Sequence, residues 1–243
     1  KEFYKHLFRP ENITIGVAGA FSKGEAESQF AASFAGWIAE KDTYPAYHFT
    51  DLPKSQETRK RPIATVELYS EVMASDVGKN ALMGSVLGLG KGSVVFRIIR
   101  EKLYLSYRQE AFLGPSESGI QLRLIAVVTD PKSAKEAPAL LRPEVIKAID
   151  ALDETDLERA KALLRSAWQD GLIGGPVYDE GGRPVGQSVE DKAFLAAYGL
   201  MKTGAPWSLE SMLQKAEDVK LDDLKLTLKA IIENAKIKTI NSN

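Results

Sequence analysis

The chain has 243 residues, 44% hydrophobic and 27% charged, a balance that fits a folded globular protein and excludes disordered, collagen-like and coiled-coil classes. Its 32 basic and 33 acidic residues leave a net charge of -1, so no global field favours nucleic acid or an anionic membrane surface. With no cysteine, disulfides and thiolate metal sites are ruled out, and the cytoplasm and the periplasm are equally compatible compartments.

Ile13 to Phe21, a β-branched run passing into small residues, predicts a strand. Ser22 and Glu25 form a capping box that opens a helix, in which Phe30, Phe34, Trp37 and Ile38 recur at helical spacing and are expected to bury one face. Asp51 to Pro62, polar and bracketed by prolines, reads as a connection. Ile63 to Val72 is the next strand. Gly78 to Leu87 follows as a helix with Val77, Ala81, Leu82 and Val86 on one side, ending at the cluster Gly88-Leu89-Gly90-Lys91-Gly92. A second helix, Ser93 to Leu103, starts on that loop. Leu105 to Phe112 and Ile120 to Thr129 read as a hairpin joined through Gly114 to Gly119.

Two more capping boxes, Ser133 with Glu136 and Thr155 with Glu158, open helices. Pro138 and Pro143 are expected to break or kink the first, while Leu157, Ala160, Leu163, Leu164 and Trp168 mark the buried face of the second. Gly171 to Gly186 predicts a surface loop or a small excursion between helices. Helices at about Ser188 to Lys202, Ser208 to Ala216 and Leu221 to Asn234 complete the chain. Strands next to one another and helices in runs give an α+β class, a mostly antiparallel sheet with helices packed on one face, in one domain covering residues 1–243. No apolar run has the length of a membrane span; the longest, around Leu122 to Val128, is interrupted by Arg123. The sequence starts at Lys1 rather than methionine, which reads as a processing site or boundary, with any preceding segment outside it.

Metal chemistry within the chain is not expected, because His6 and His48 have neither a second histidine nor a glutamate at ligand spacing. No Gly-x-Ser-x-Gly elbow is present, and a cysteine nucleophile is excluded. The acidic cluster Asp150, Asp153, Glu154, Asp156 and Glu158 lies at a helix start, where it favours the helix dipole. The glycine cluster does not fit a phosphate loop, which needs glycine at the position of Ser85 and serine or threonine at that of Gly92. It reads as a helix-helix turn whose exposed amides also suit a peptide backbone. By themselves, Arg100 in a last helical turn and Tyr107 on the next strand read as a dipole-stabilising cation and a packing aromatic.

Taken in order, these segments resemble a known family. Leu87-Gly88-Leu89-Gly90-Lys91-Gly92-Ser93, followed by Arg100-Glu101-Lys102 and Tyr107, resembles the glycine loop and Arg-Glu-Lys-x-Gly-Leu-Ala-Tyr segment in the second domain of pitrilysin/insulinase-type metallopeptidases, the inverzincins. Pro10 to Phe21 is similar to that family's Pro-x-Asn strand, Phe34-Ala35-Gly36-Trp37 to its Phe-Gly-x-Trp helix end, and Thr155 to Lys161 to its Thr-x-x-Glu-Leu-x-x-Ala-Lys helix. Tyr104 stands where the family has glycine, and Ser106 where it has alanine.

The resemblance implies one half of a pitrilysin-like clamshell. With no His-x-x-Glu-His in the sequence, it implies the half without metal, the substrate-binding half of a zinc metalloendopeptidase. Arg100 and Tyr107 then donate hydrogen bonds to substrate and oxyanion, and Gly88, Gly90, Gly92 and Ser93 help to hold an extended peptide. No cofactor is expected in this chain; zinc is expected in a homologous partner half, on another chain or in the same precursor. Peptide is the expected substrate, without nucleic acid or membrane. The alternative is a degenerate member serving as a binding or assembly subunit without peptidase activity.

Overall fold

The computed structural model describes residues 8, 10–37, 63–116, 120–169, 185–186 and 188–242. Among them, helix α1 spans Lys23–Phe34, strand β1 Ile63–Val72 and helix α2 Val77–Gly88. After a π-helical segment, Phe96–Lys102, come strands β2 (Arg108–Pro115) and β3 (Ile120–Val128) and helices α3 (Pro131–Asp150) and α4 (Glu154–Gln169). Helices α5 (Val189–Thr203), α6 (Leu209–Glu217) and α7 (Leu221–Asn234) precede strand β4 (Lys236–Ser242).

The four strands form an antiparallel sheet in the order β2-β3-β1-β4. Strand β3 alternates strictly: Ile120, Leu122, Leu124, Ala126 and Val128 are buried, and the residues between them are half-buried. The period of two therefore selects one face for the core. Helices α2, α3 and α7 cover that face. The other face is polar, with Arg123 Nε 3.3 Å from a Glu67 carboxylate oxygen and Gln121 hydrogen-bonded to Glu71 at 2.6 Å. This is the α+β arrangement with helices on one side of the sheet.

Helix α2 sits at the centre, buried on almost its whole circumference. Close approach is possible at its two ends because Gly78 and Gly88 have no side chain. A Cβ at Gly78 would lie 2.4 Å from the Met212 carbonyl oxygen of α6, and one at Gly88 2.2 Å from the Ala111 carbonyl oxygen of β2. Ser85 Oγ donates to the Ala160 carbonyl at 2.8 Å, satisfying a buried hydroxyl and tying α2 to α4.

Several elements differ from their expected form. Ile13 to Phe21 is not a strand: it has no partner strand among the described residues, and Ile15, Val17 and Phe21 are exposed. Ser22 and Glu25 do form the capping box, with Ser22 Oγ accepting from the Glu25 amide and Glu25 accepting from the Ser22 amide at 2.9 Å. The apolar residues of that helix, however, do not enter the core. Phe30, Phe34 and Trp37 stack on one another and, with Pro10, Ile13, Ile15 and Val17, line an open groove of about 390 Å³. Ile38, the connection Asp51 to Pro62, and most of the loop Gly171 to Gly186 lie outside the described residues.

Strand β2 starts and ends three residues later than Leu105 to Phe112, because the chain first completes a turn at Tyr104. Helix α3 is capped by Asp130, which accepts from the Ser133 amide at 2.7 Å, rather than by Ser133. It runs through Pro138 and Pro143 without a break, since Ala134, Ala137, Leu141, Val145 and Ile149 form a continuous buried stripe that outweighs the missing amide donors. Helix α4 is likewise capped ahead of the expected residue, two positions before Thr155, by Asp153 accepting from the Asp156 amide at 2.9 Å.

Candidate functional site

The loop after α2 is built to reverse the chain. Leu89 donates its amide to the Ser85 carbonyl at 2.9 Å, and Gly90 adopts φ 73°, a left-handed conformation that costs glycine nothing. The Ser93 amide returns to the Gly90 carbonyl at 3.2 Å. The chain then coils again, but the expected α-helix Ser93 to Leu103 is a π-helix over Phe96–Lys102, with the Leu103 amide donating to the carbonyl of Ile98, five residues back, at 2.9 Å. The wider turn leaves Val94, Val95, Ile98 and Ile99 in the core while Arg100 and Glu101 face solvent. Such single π turns occur often where a side chain must be re-aimed for function.

Tyr104 ends the coil. Its φ is 53°, and it is the one non-glycine residue with positive φ among those described. The Leu105 amide closes the turn on the Ile99 carbonyl at 2.8 Å. A side chain other than glycine in this region costs roughly 1 kcal/mol. Ser106 fixes the next step: it is buried, its Oγ accepts from the Arg108 amide at 3.0 Å, and its proton goes to the carbonyl of Arg108 (2.6 Å) or Val127. The hydroxyl thus pins the turn to β3, a bond that alanine could not make.

Arg100 and Tyr107 are brought together by this geometry. The guanidinium carbon of Arg100 is 4.9 Å from the centroid of the Tyr107 ring and 5.4 Å from that of Phe96. Stacking on ring faces orients the guanidinium and leaves its edge N–H groups available as donors. Among the described residues Arg100 has no carboxylate partner, and Tyr107 is 86% exposed. With Glu101, Tyr104 and Ser106 they line an open pocket of about 370 Å³.

The glycine-loop residues are divided between surface and interior. Gly90 is exposed, whereas Gly88 is pressed against β2 and Ser93 is buried. At Gly92 a Cβ would meet the Arg159 guanidinium at 2.7 Å, and Arg159 donates to the Gly92 carbonyl at 2.8 Å. Arg159 also pairs with buried Asp156 at 2.6 Å, and Asp156 reaches Arg97 of the π segment at 3.5 Å. Loop, π segment and α4 are therefore locked through one carboxylate, whose sequence position had suggested only a dipole role. The spacing of Asp156 and Arg159, three apart on a helix, was the available signal. Lys102 pairs with Glu144 of α3, and that hydrogen bond holds the Glu144 carboxyl below its ordinary range.

No group of three or more His, Cys, Asp or Glu side chains comes together as a metal site among the described residues, which do not include His6 and His48. Zinc therefore does not fit any donor set in the described part of this chain. No helix among the described residues is long and apolar enough to cross a membrane.

Comparison with known proteins gives a consistent result. The family described as the peptidase M16 inactive domain matches residues 1–164. A peptidase M16 inactive domain from Pseudomonas fluorescens is similar in structure with a TM-score of 0.60 and 15% identity, over 91% of this chain and 52% of that one. A protease from Helicobacter pylori gives 0.61 and 13%, over 92% and 53%. The inactive peptidase domain from Bordetella parapertussis gives 0.58 and 15%, over 76% and 96%. The present chain thus spans about half the length of the first two. A search among curated proteins finds no match.

Proposed function

Because the chain belongs to the peptidase M16 inactive-domain family, we propose that it is the non-zinc, substrate-binding half of a zinc metalloendopeptidase, with residues 1–243 acting as one domain. Its partner is a homologous half carrying His-x-x-Glu-His, on a second chain or in the same precursor. The observation that carries this reading is the contact between Arg100 and Tyr107 at 4.9 Å on the wall of an open pocket. When bound in the partner half, zinc supplies Lewis acidity and an activated water.

This chain's residues work from the opposite wall. Arg100 offers its edge N–H groups, and Tyr107 its phenolic O–H, to the carbonyl oxygen of an extended peptide. As negative charge develops on that oxygen, the Tyr107 hydrogen bond becomes charge-assisted and the Arg100 bond, already so, gains an anionic acceptor; both are then stronger than in the ground state, which is the condition for raising turnover rather than binding alone. The locked π turn keeps the two donors in place beforehand. Exposed backbone at Gly90 pairs with the peptide main chain, while Gly88, Gly92 and Ser93 support the loop from inside.

The test is cleavage of a quenched peptide library by this chain mixed with its zinc-bearing half, with and without a chelator, against each component alone. Activity is expected only in the mixture and only without chelator. In that mixture Tyr107→Phe is expected to lower turnover by about 10²-fold with little change in peptide affinity. An unchanged turnover overturns the role of Tyr107. Silence from a complex of demonstrated stoichiometry overturns the enzyme reading in favour of a binding or assembly subunit, the reading favoured by Tyr104 in place of the family's glycine.

A further inference from the structure

Tyr104 combines three properties that the fold alone does not require. Its backbone is left-handed, at φ 53°, where glycine is the unstrained choice. Its side chain is 84% exposed, so burial returns almost nothing for that strain. It lies on the wall of the pocket formed with Arg100 and Tyr107, three residues from a second phenol that is equally exposed.

We infer that Tyr104 is a specificity-determining residue and that Tyr104 and Tyr107 form an aromatic subsite for a neutral aromatic side chain of an extended peptide, an inference that rests on the peptide-binding reading above. Ring faces attract another ring in offset or edge-on geometry beyond simple area burial. Glu101 offsets the charge of Arg100 in the same lining, so a charged side chain gains no net attraction there and a neutral ring, which the two phenols do attract, is the preferred occupant. Arg100 takes the peptide carbonyl beside that ring, so side chain and main chain are read together.

The experiment uses the full chain and two end-blocked decapeptides that differ only in Phe or Ala at one central position, with binding followed by fluorescence anisotropy. The wild type is expected to prefer the Phe peptide by about fivefold. Tyr104→Gly is expected to abolish that preference, to leave the Ala peptide's affinity within about twofold, and to raise the melting temperature by about 2–4 °C through release of backbone strain. Tyr104→Phe keeps the preference. A preference that survives Tyr104→Gly, or a melting temperature that falls in that variant, overturns the assignment. Equal binding of both peptides by the wild type overturns the aromatic subsite while peptide binding stands. Binding of neither overturns the peptide-binding reading itself, and the subsite with it.

Discussion

Helices α1 and α2 have the same length, 12 residues, and opposite surroundings: ten residues of α2 are buried and none of α1. Their local signals run the other way. Helix α1 starts with a complete capping box, whereas α2 starts at Asp76, whose side chain makes no capping bond. A cap decides where a helix begins, and neighbours decide whether it enters a core. A helix of this length without tertiary support is marginal in water, so α1 depends on its cap far more than α2 does.

Substitutions can sharpen this contrast. The largest effect is expected from Leu82→Ala in α2, where a fully buried side chain is lost between sheet and helices; denaturant unfolding should fall by about 3 kcal/mol. A loss below about 1 kcal/mol would mean that α2 is not the centre of the core. Ser22→Ala removes the α1 cap and should destabilise that helix locally by about 1 kcal/mol. Amide exchange in residues 23–34 should accelerate while the global unfolding midpoint stays in place, and a shifted midpoint would break the comparison.

The smallest effect is a pH dependence confined to α1. The Ser22 amide, and then the Ser22 hydroxyl, hold the Glu25 carboxyl below its ordinary value of 4.5. The folded group binds its proton less readily than the unfolded one, so its contribution is complete above about pH 4.5 and disappears as pH falls through the lowered folded value. Helix α2 has no acidic residue in its first turn. Circular dichroism or amide exchange between pH 6 and pH 3 should therefore show α1 loosening before α2, and Glu25→Gln should remove that early phase.

Where both pattern and partner are present, the sequence was sufficient. Strands β1 and β3 and helices α5 to α7 follow their apolar periodicity, because the neighbouring layer lies on the side that the pattern marks. Alternation alone was not enough elsewhere. Ile13 to Phe21 has strand-forming residues and no partner strand among the described residues, while Lys236 to Ser242, to which the sequence pattern assigns no element, pairs with β1 from Ile63 to Tyr69. Pairing is a non-local property that neither segment contains. The prolines of α3 show a local rule overridden by packing.

The site was legible in a different way. Arg100 and Tyr107 came from a resemblance, since a cation at a helix end and an aromatic near a strand have ordinary explanations. The widening to a π turn and the left-handed Tyr104 depend on hydrogen bonds that composition does not encode, although the departure from glycine marked the position. Asp156 was hidden because an acid at a helix start suffices to explain itself, and only the fold brings Arg97 to its other oxygen.

The strand order places β4, the last strand among the described residues, beside β1, the first of them. β1 has β3 on one side and β4 on the other, and β4 is drawn from the end of the sequence. During synthesis, therefore, one flank of β1 stays open to chance pairing until residues 73–242 have been made. Closing so long a loop is slow, and an unpaired flank is the feature from which aggregation starts. The timing of β4 therefore sets how long that flank of β1 needs protection.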